Sequence, residues 1–369
     1  MNILQLGKFY PIRGGVEKVM FDLTSNLSKR GIHCDMLCAN FDPNSDNQEV
    51  VFNNNGRIIV LPTKFQFSGT MICPKMISWL KKHCEEYDII HVHHPDPMAA
   101  LALRLSGFKG KVILHWHSDI LKKKVFLALY KPLQSWLIKR ADRIVGTTPV
   151  YVAQSKALAK VQDKVTYVPI GIEPVEYDKK EADAVKSKYP GKKIVFSLGR
   201  LVPYKGFTYL IGAAKYLPDD YVVLIGGTGP LKQHLQEEIE YQGLQDKVNL
   251  IGFVPDDELP GLYGACDIFV MSSVMKTEAF GIVQIEAMSC GKPVVATIIP
   301  ESGVSWVNAH GVSGLNVEPE DPKALAEAIK NICDNQNVYQ QYSVGAKNRF
   351  FATFVSSNMI NKIIDIYES

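Results

Sequence analysis

At 369 residues the chain is longer than one ordinary core organises and suits two domains. Its 46% hydrophobic and 21% charged residues are those of a soluble globular protein, and a formal net charge of only +3 argues against nucleic-acid binding. No apolar run is long enough to cross a bilayer and no secretory leader opens the sequence. The seven cysteines (Cys34, Cys38, Cys73, Cys84, Cys266, Cys290, Cys333) show neither CxxC nor Cys/His zinc spacing, so a cytoplasmic protein with reduced core cysteines is expected.

In chain order, β-rich runs alternate with helical ones, the pattern of parallel sheets covered by helices. Residues 3–6 read as a first buried strand, followed by a loop containing Arg13-Gly14-Gly15. A helix starts near Val16, with Val19, Met20, Leu23 and Leu27 on one face and Gly31 just past its end. Further strands are expected at 34–38, 58–61, 89–92, 112–115, 144–147 and 165–168. The charged stretch 173–193, with Pro174, Pro190 and Gly191, reads as a linker. The pattern then restarts: 192–198 ends in Gly199-Arg200, 222–225 ends in Gly226-Gly227-Thr228-Gly229, and strands at 248–251, 268–271 and 293–296 complete a second set. The predicted domains are 1–175 and 190–345. The tail, 346–369, has too many apolar residues for a surface helix (Phe350, Phe351, Phe354, Met359, Ile363, Ile364, Tyr367) and is expected to pack back on the first domain.

Two segments carry the chemistry. Residues 277–296 read as loop, helix from about Gly281, then strand, so the loop and helix start offer unpaired N–H groups and the positive end of a helix dipole to a phosphate. Glu278 falls in the loop and Glu286 in the helix, where carboxylates can accept hydrogen bonds from sugar hydroxyls. In 197–206 a strand ends at Gly199, and two cations follow on a turn. Arg200 can grip phosphate oxygens bidentately and Lys205 adds a point charge. Together they can neutralise a diphosphate leaving group without a metal ion.

Arg200 and Lys205 followed by Glu278 and Glu286 in this order resemble the retaining glycosyltransferases of family 4, and the resemblance spans nearly the whole chain. It extends to Gly14-Gly15, His115-Trp116-His117-Ser118-Asp119 and Gly226-Gly227-Thr228-Gly229-Pro230-Leu231. Within the family the chain is most similar to bacterial mannosyltransferases of O-antigen or capsule assembly. The resemblance implies the GT-B architecture, two Rossmann-like α/β domains facing a central cleft, with donor held by the second and acceptor by the first. By the same token Arg200 and Lys205 would hold the donor diphosphate, Glu278 the donor sugar and Glu286 the ribose. Backbone groups of Ala279, Phe280, Gly281, Ile282 and Val283 would meet the diphosphate or sugar, and those of Phe253 and Val254 the nucleobase. Gly14 and Gly15 would let the first loop approach the phosphates. His117 is the remaining catalytic candidate, with His93, His94 and Asp119 toward the acceptor. The donor implied is GDP-mannose, next a UDP-hexose or UDP-N-acetylhexosamine, and the acceptor a saccharide, lipid-linked.

Neither a metal nor another cofactor is expected. His91, His93, His94, His115 and His117 invite a metal site, but alternate strand residues point to opposite faces and no histidine–carboxylate helix motif accompanies them. No GxGxxG follows the first strand, which disfavours a dinucleotide-dependent oxidoreductase. A nucleotide-sugar 2-epimerase on the same scaffold is the alternative, though its acid–base set is not identifiable. Lys122, Lys123 and Lys124 open a basic, partly apolar segment, expected to be divided or kinked at Pro132, that would attract anionic phospholipid or the acceptor's diphosphate and attach the enzyme peripherally to a membrane.

Overall fold

The computed structural model describes the chain apart from residues 44, 47, 68 and 121–123 and the side chains of residues 52 and 124–127. Lys122 and Lys123 therefore lie outside the described residues, as does the side chain of Lys124. The chain divides into two compact units, Met1–Ile170 with Ser357–Ser369, and Gly171–Ser356.

In the first unit the chain runs β1 (Asn2–Tyr10), α1 (Gly15–Lys29), β2 (His33–Asn40), β3 (Gln48–Asn53), β4 (Gly56–Leu61), β5 (Phe65–Phe67), β6 (Thr70–Ile72), α2 (Pro74–His83), β7 (Ile89–His94), α3 (Pro97–Ser106), β8 (Lys111–Trp116), α4 (Lys124–Arg140), β9 (Arg143–Gly146), α5 (Pro149–Gln154) and β10 (Val165–Tyr167). The eight-stranded sheet has the order β10-β9-β8-β7-β1-β2-β4-β3. All its pairings are parallel but one: β3 pairs antiparallel to β4. Only Asn54 and Asn55 separate Asn53 from Gly56, and so short a loop can join only antiparallel neighbours. Hydropathy flagged neither β3 nor the β5–β6 ribbon, whose Phe65 and Phe67 are exposed. The α3 start is capped by Asp96, whose carboxylate accepts from Met98 N and Ala99 N at 2.9 and 3.0 Å, with Pro97 in the first helical position. α4 is not divided at Pro132, and its Leu129 is 79% exposed.

The second unit contains α6 (Lys179–Ser187), β11 (Lys193–Leu198), α7 (Phe207–Ala213), β12 (Tyr221–Gly226), α8 (Lys232–Tyr241), β13 (Val248–Gly252), α9 (Leu259–Ala265), β14 (Ile268–Met271), α10 (Ile282–Ser289), β15 (Val294–Thr297), α11 (Val304–Val307), β16 (Gly314–Val317), α12 (Pro322–Cys333) and α13 (Gln336–Arg349). Its sheet is wholly parallel in the order β13-β12-β11-β14-β15-β16. Counted within the unit this is the doubly wound order, with its reversal between β11 and β14. Val195, Leu210, Ile225, Val270, Leu325 and Ile329 share one core between sheet and helices. The stretch 173–193 is more than a linker: it carries α6, capped by Asp178, with Glu181 lying against Gly261 of α9.

The last helix, α14 (Ser356–Glu368), follows a π-helical turn at Phe350–Phe354, and most of it belongs to the first unit. Met359, Ile360, Ile363 and Tyr367 are buried, and the Lys111 ammonium caps the helix end on the carbonyls of Ile366 and Tyr367 at 2.8 and 2.9 Å.

One glycine sets the approach of the strands that matter below. Gly206, at φ +64°, lies where a Cβ would sit 2.1 Å from the Ser272 carbonyl oxygen. We expect Gly206→Ala to cost about 2 kcal/mol or more, from left-handed strain plus that clash, lowering the second unit's unfolding midpoint by roughly 4 °C or more. Calorimetry checks this; an unchanged midpoint would refute the close-approach argument.

Candidate functional site

In doubly wound sheets ligands sit at the carboxyl ends of the strands where the order reverses. In the second unit the loops leaving β11 and β14 meet there. The first passes Gly199 and Arg200 and closes a tight turn over Pro203–Lys205. The two loops are stitched together: Val274 N donates to Tyr204 O at 2.9 Å and Ser272 Oγ to Lys205 O at 3.0 Å. Lys205 Nζ pairs with Glu278 Oε2 at 2.5 Å, the two side chains only 13% and 12% exposed, and Ser273 Oγ donates to the same carboxylate oxygen at 3.3 Å. Burial pulls the Lys205 ammonium toward neutrality, but the Glu278 carboxylate more than offsets it and holds the pKa above the usual lysine range. Arg200 is exposed at the mouth of the same turn.

The β14 loop continues through buried Ala279 and Phe280, anchored where Gly303 N donates to Ala279 O at 3.0 Å. Gly281 caps α10 at φ +76°, and a Cβ there would lie 2.5 Å from Met271 Sδ. Ile282 and Val283 open the helix with N–H groups that lack an intrahelical acceptor. Glu286 follows one turn later, where Tyr263 of α9 donates its hydroxyl to Oε2 at 2.6 Å. Burial, with Glu286 beside it, pushes the Tyr263 phenol well above its ordinary pKa, so it stays a donor. Nothing in the spacing pointed to Tyr263, because it reaches Glu286 from another helix. Phe253 and Val254 follow β13, two strands from β11, with Phe253 72% exposed. The glycine run after β12 has a packing reason: a Cβ on Gly227 would lie 1.9 Å from Gly199 O, and Leu201 N donates to Thr228 O at 2.9 Å.

In the first unit the order reverses between β1 and β7. Gly14 caps α1 and Gly15 begins it; the Gly14 φ of −156° is ordinary extended backbone, but a Cβ would come 2.7 Å from Glu17 Oε2. Beside this loop's strand stand the histidines, where the face argument needs correction. His91 and His93 are two residues apart, so they share a face, and the β7–β8 register sets His93 beside His115. His91, His93, His115 and His117 form one buried cluster, and only His94 points the other way, stacked on Trp116 at 3.7 Å and 4° with Gln134 at 3.0 Å from its Nε2. Burial lowers the pKa of all five, to about 3 for His94 and His115.

Nitrogens of His91, His93 and His115 lie within 4.8 Å of one another. A shared ion would have to take a His93 nitrogen, yet Nδ1 meets His117 Nε2 at 2.9 Å and Nε2 meets Gln5 Oε1 at 2.8 Å. With both His93 nitrogens engaged inside the protein, the three as they stand do not form an open ligand set. Asp119 anchors the loop after β8: its Oδ1 accepts from Trp116 Nε1 at 2.9 Å and Ser155 Oγ at 2.8 Å.

The second unit thus presents a paired lysine with an exposed arginine nearby, a carboxylate and a helix start at one set of strand ends, and the first a neutral hydrogen-bonding cluster at another. Comparison with known proteins gives the family. Residues 13–176 match the family model described as Glycosyltransferase Family 4, and residues 178–349 match Glycosyl transferases group 1. The chain is 31% identical to O-antigen chain mannosyltransferase C of Escherichia coli, over 100% of this chain and 98% of that one. It is 28% identical to D-rhamnosyltransferase WbpZ of Pseudomonas aeruginosa, over 96% and 93%. Among solved structures, Anabaena Alr3699/HepE in complex with UDP superimposes with a TM-score of 0.80 at 21% identity, covering 100% of both chains. The chain belongs to the group 1, family 4 glycosyltransferases and is a transferase of GT-B fold.

Proposed function

We propose that this glycosyltransferase moves a mannosyl residue from GDP-mannose, with retention, to a lipid-linked saccharide at the cytoplasmic face of a membrane during O-antigen or related polysaccharide assembly. The observation that carries the reading is the Lys205–Glu278 ion pair at the β11/β14 strand ends. It sets a fixed cation for a diphosphate beside a carboxylate for sugar hydroxyls, next to the start of α10. The name of the 31% identical relative supports the mannosyl donor and the polysaccharide context.

In this reading Arg200 and Lys205 neutralise the departing diphosphate in place of a metal ion, and Glu286 holds the ribose. His117, at the end of β8, meets a hydroxyl of the sugar. The acceptor hydroxyl attacks from the face the diphosphate leaves, and a donor phosphate oxygen takes its proton. Positioning and electrostatics then supply most of the rate.

Three outcomes follow. Arg200→Ala and Lys205→Ala should each lower kcat/KM roughly a hundredfold or more with folding intact by circular dichroism, since developing charge loses its counter-charge. Wild-type turnover in both would refute the diphosphate role.

Glu286→Ala should raise the donor KM by roughly tenfold while kcat changes little, because a ribose contact is remote from the breaking bond. Glu278→Ala, beside the transferred sugar, should lower kcat itself. Purely binding defects of equal size in both variants would contradict the division.

Incubated in EDTA with a panel of GDP- and UDP-sugars, the enzyme should release diphosphate fastest from GDP-mannose, and proton NMR should show an α-glycoside. An inverted anomeric centre, or loss of activity with the metal removed, would overturn the mechanism.

A further inference from the structure

The buried histidines of the first unit belong to a hydrogen-bond chain whose direction can be worked out atom by atom. It starts at Tyr367 near the end of α14. The phenol is fully buried, which keeps it protonated. Its oxygen lies 2.6 Å from His91 Nδ1 and 3.0 Å from Gln5 Nε2. The amide donates to the tyrosine oxygen, so the tyrosine proton goes to His91.

The other N–H of the Gln5 amide faces Cys34 Sγ at 3.7 Å, and its oxygen is the atom turned to His93 Nε2 at 2.8 Å. An amide oxygen only accepts, so His93 Nε2 carries a hydrogen. A neutral imidazole has one N–H, so His93 Nδ1 is bare and must accept from His117 Nε2, 2.9 Å away. The two rings lie within 15° of parallel, which lets an in-plane N–H meet an in-plane lone pair. His117 is then left with its lone pair on Nδ1. Reversing His117 alone would set two hydrogens or two lone pairs face to face, so the chain can turn only as a whole. The orientation of the Gln5 amide, with its oxygen on His93 and its NH2 toward Tyr367 and Cys34, sets the direction.

His91 and His93 are 0% exposed, whereas His117, at the carboxyl end of β8, retains 5%. Among the described residues no side chain or backbone group meets its Nδ1.

We propose that Gln5, His93 and Tyr367 are positioning residues that lock His117 in the Nε2–H tautomer, so that Nδ1 accepts a hydrogen bond from a hydroxyl of the bound saccharide. This rests on the reading that His117 meets substrate. It assigns to the last helix of the chain a part in site chemistry, carried over four side chains without any change of charge. Burial keeps every imidazole in the chain neutral, so the ordering concerns where protons sit, not how many there are.

The test joins nitrogen-15 NMR of histidine-labelled full-length protein to steady-state kinetics. Wild type should show His117 protonated on Nε2 throughout pH 6–8. His93→Phe removes the acceptor and should lower kcat/KM roughly tenfold. His93→Asn offers its amide oxygen near the place of Nδ1 and should restore activity to within about threefold of wild type and keep the Nε2–H signal. Tyr367→Phe deletes one hydroxyl with little change of volume; it should give mixed His117 tautomers and a smaller loss. A wild-type His117 protonated on Nδ1, or His93→Phe and Tyr367→Phe both turning over like wild type, overturns the relay. His117→Ala separates the two claims. If it retains wild-type activity, the substrate contact itself is wrong. If it is inactive while wild type carries the proton on Nδ1, the contact stands and the relay alone falls.

Discussion

Everything in the second unit's site depends on how close the loops after β11 and β14 can come. A cation as buried as Lys205 is tolerable only with a partner, because desolvation would otherwise drive it toward neutrality. Its partner, Glu278, comes from the other side of the strand-order reversal. The pair therefore forms only if two segments separated by three strands and three helices of sequence are brought into register. Gly206 permits the backbone approach, and Gly199 leaves room for the lysine, since a Cβ there would lie 3.1 Å from Lys205 Cε. The hydrogen bonds from Ser272 and Val274 then hold the turn in place. Glycine at these positions is a geometric requirement of the ion pair.

The first unit solves a different problem. The polar side chains of its histidine cluster are deeper and carry no charge: burial depresses every histidine in the cluster, and the Tyr367 phenol is held protonated. Without charge, specificity has to come from the direction of hydrogen bonds. A chain of amide, phenol and imidazoles has few self-consistent orderings, and each link constrains the next. One unit thus positions charge against charge and the other positions lone pairs, matching a transferase that must hold both an anionic leaving group and neutral sugar hydroxyls.

How much of this could be read in advance follows from the range of each signal. Strand–helix alternation is local, so the parallel sheets and the loop-then-helix placement of Glu278 and Glu286 were legible from their own neighbourhoods. The antiparallel β3, the β5–β6 ribbon and α6 were not. Their hydropathy is weak, and the asparagine-rich turn before β4 and the prolines around 173–193 read as plain breaks. The histidines show the other limit. Residue parity alone puts His91 and His93 on one face, but setting His115 and His117 beside them needs the β7–β8 register, which only the assembled sheet supplies. Tyr263 escaped for the same reason: its importance lies in reaching Glu286 from a helix 23 residues earlier.

The tail carries that argument to its limit. Its apolar periodicity marks it as a helix with a face to bury, and periodicity says nothing about what covers that face. Tyr367 meets Gln5 across 362 residues of chain, the second strand residue after the β1 core begins and almost the last of α14. Lys111 holds the helix end by its free carbonyls, so the position of the tyrosine hydroxyl is set by a cap as well as by packing. A contact of such sequence separation orders more chain than any local one, and a single hydroxyl returns little energy for it. Burying Met359, Ile360 and Ile363 supplies the driving force for docking. The hydroxyl adds direction to a helix that apolar packing has already placed, and the polar chain in the first unit is complete only once the last turn of α14 is in position.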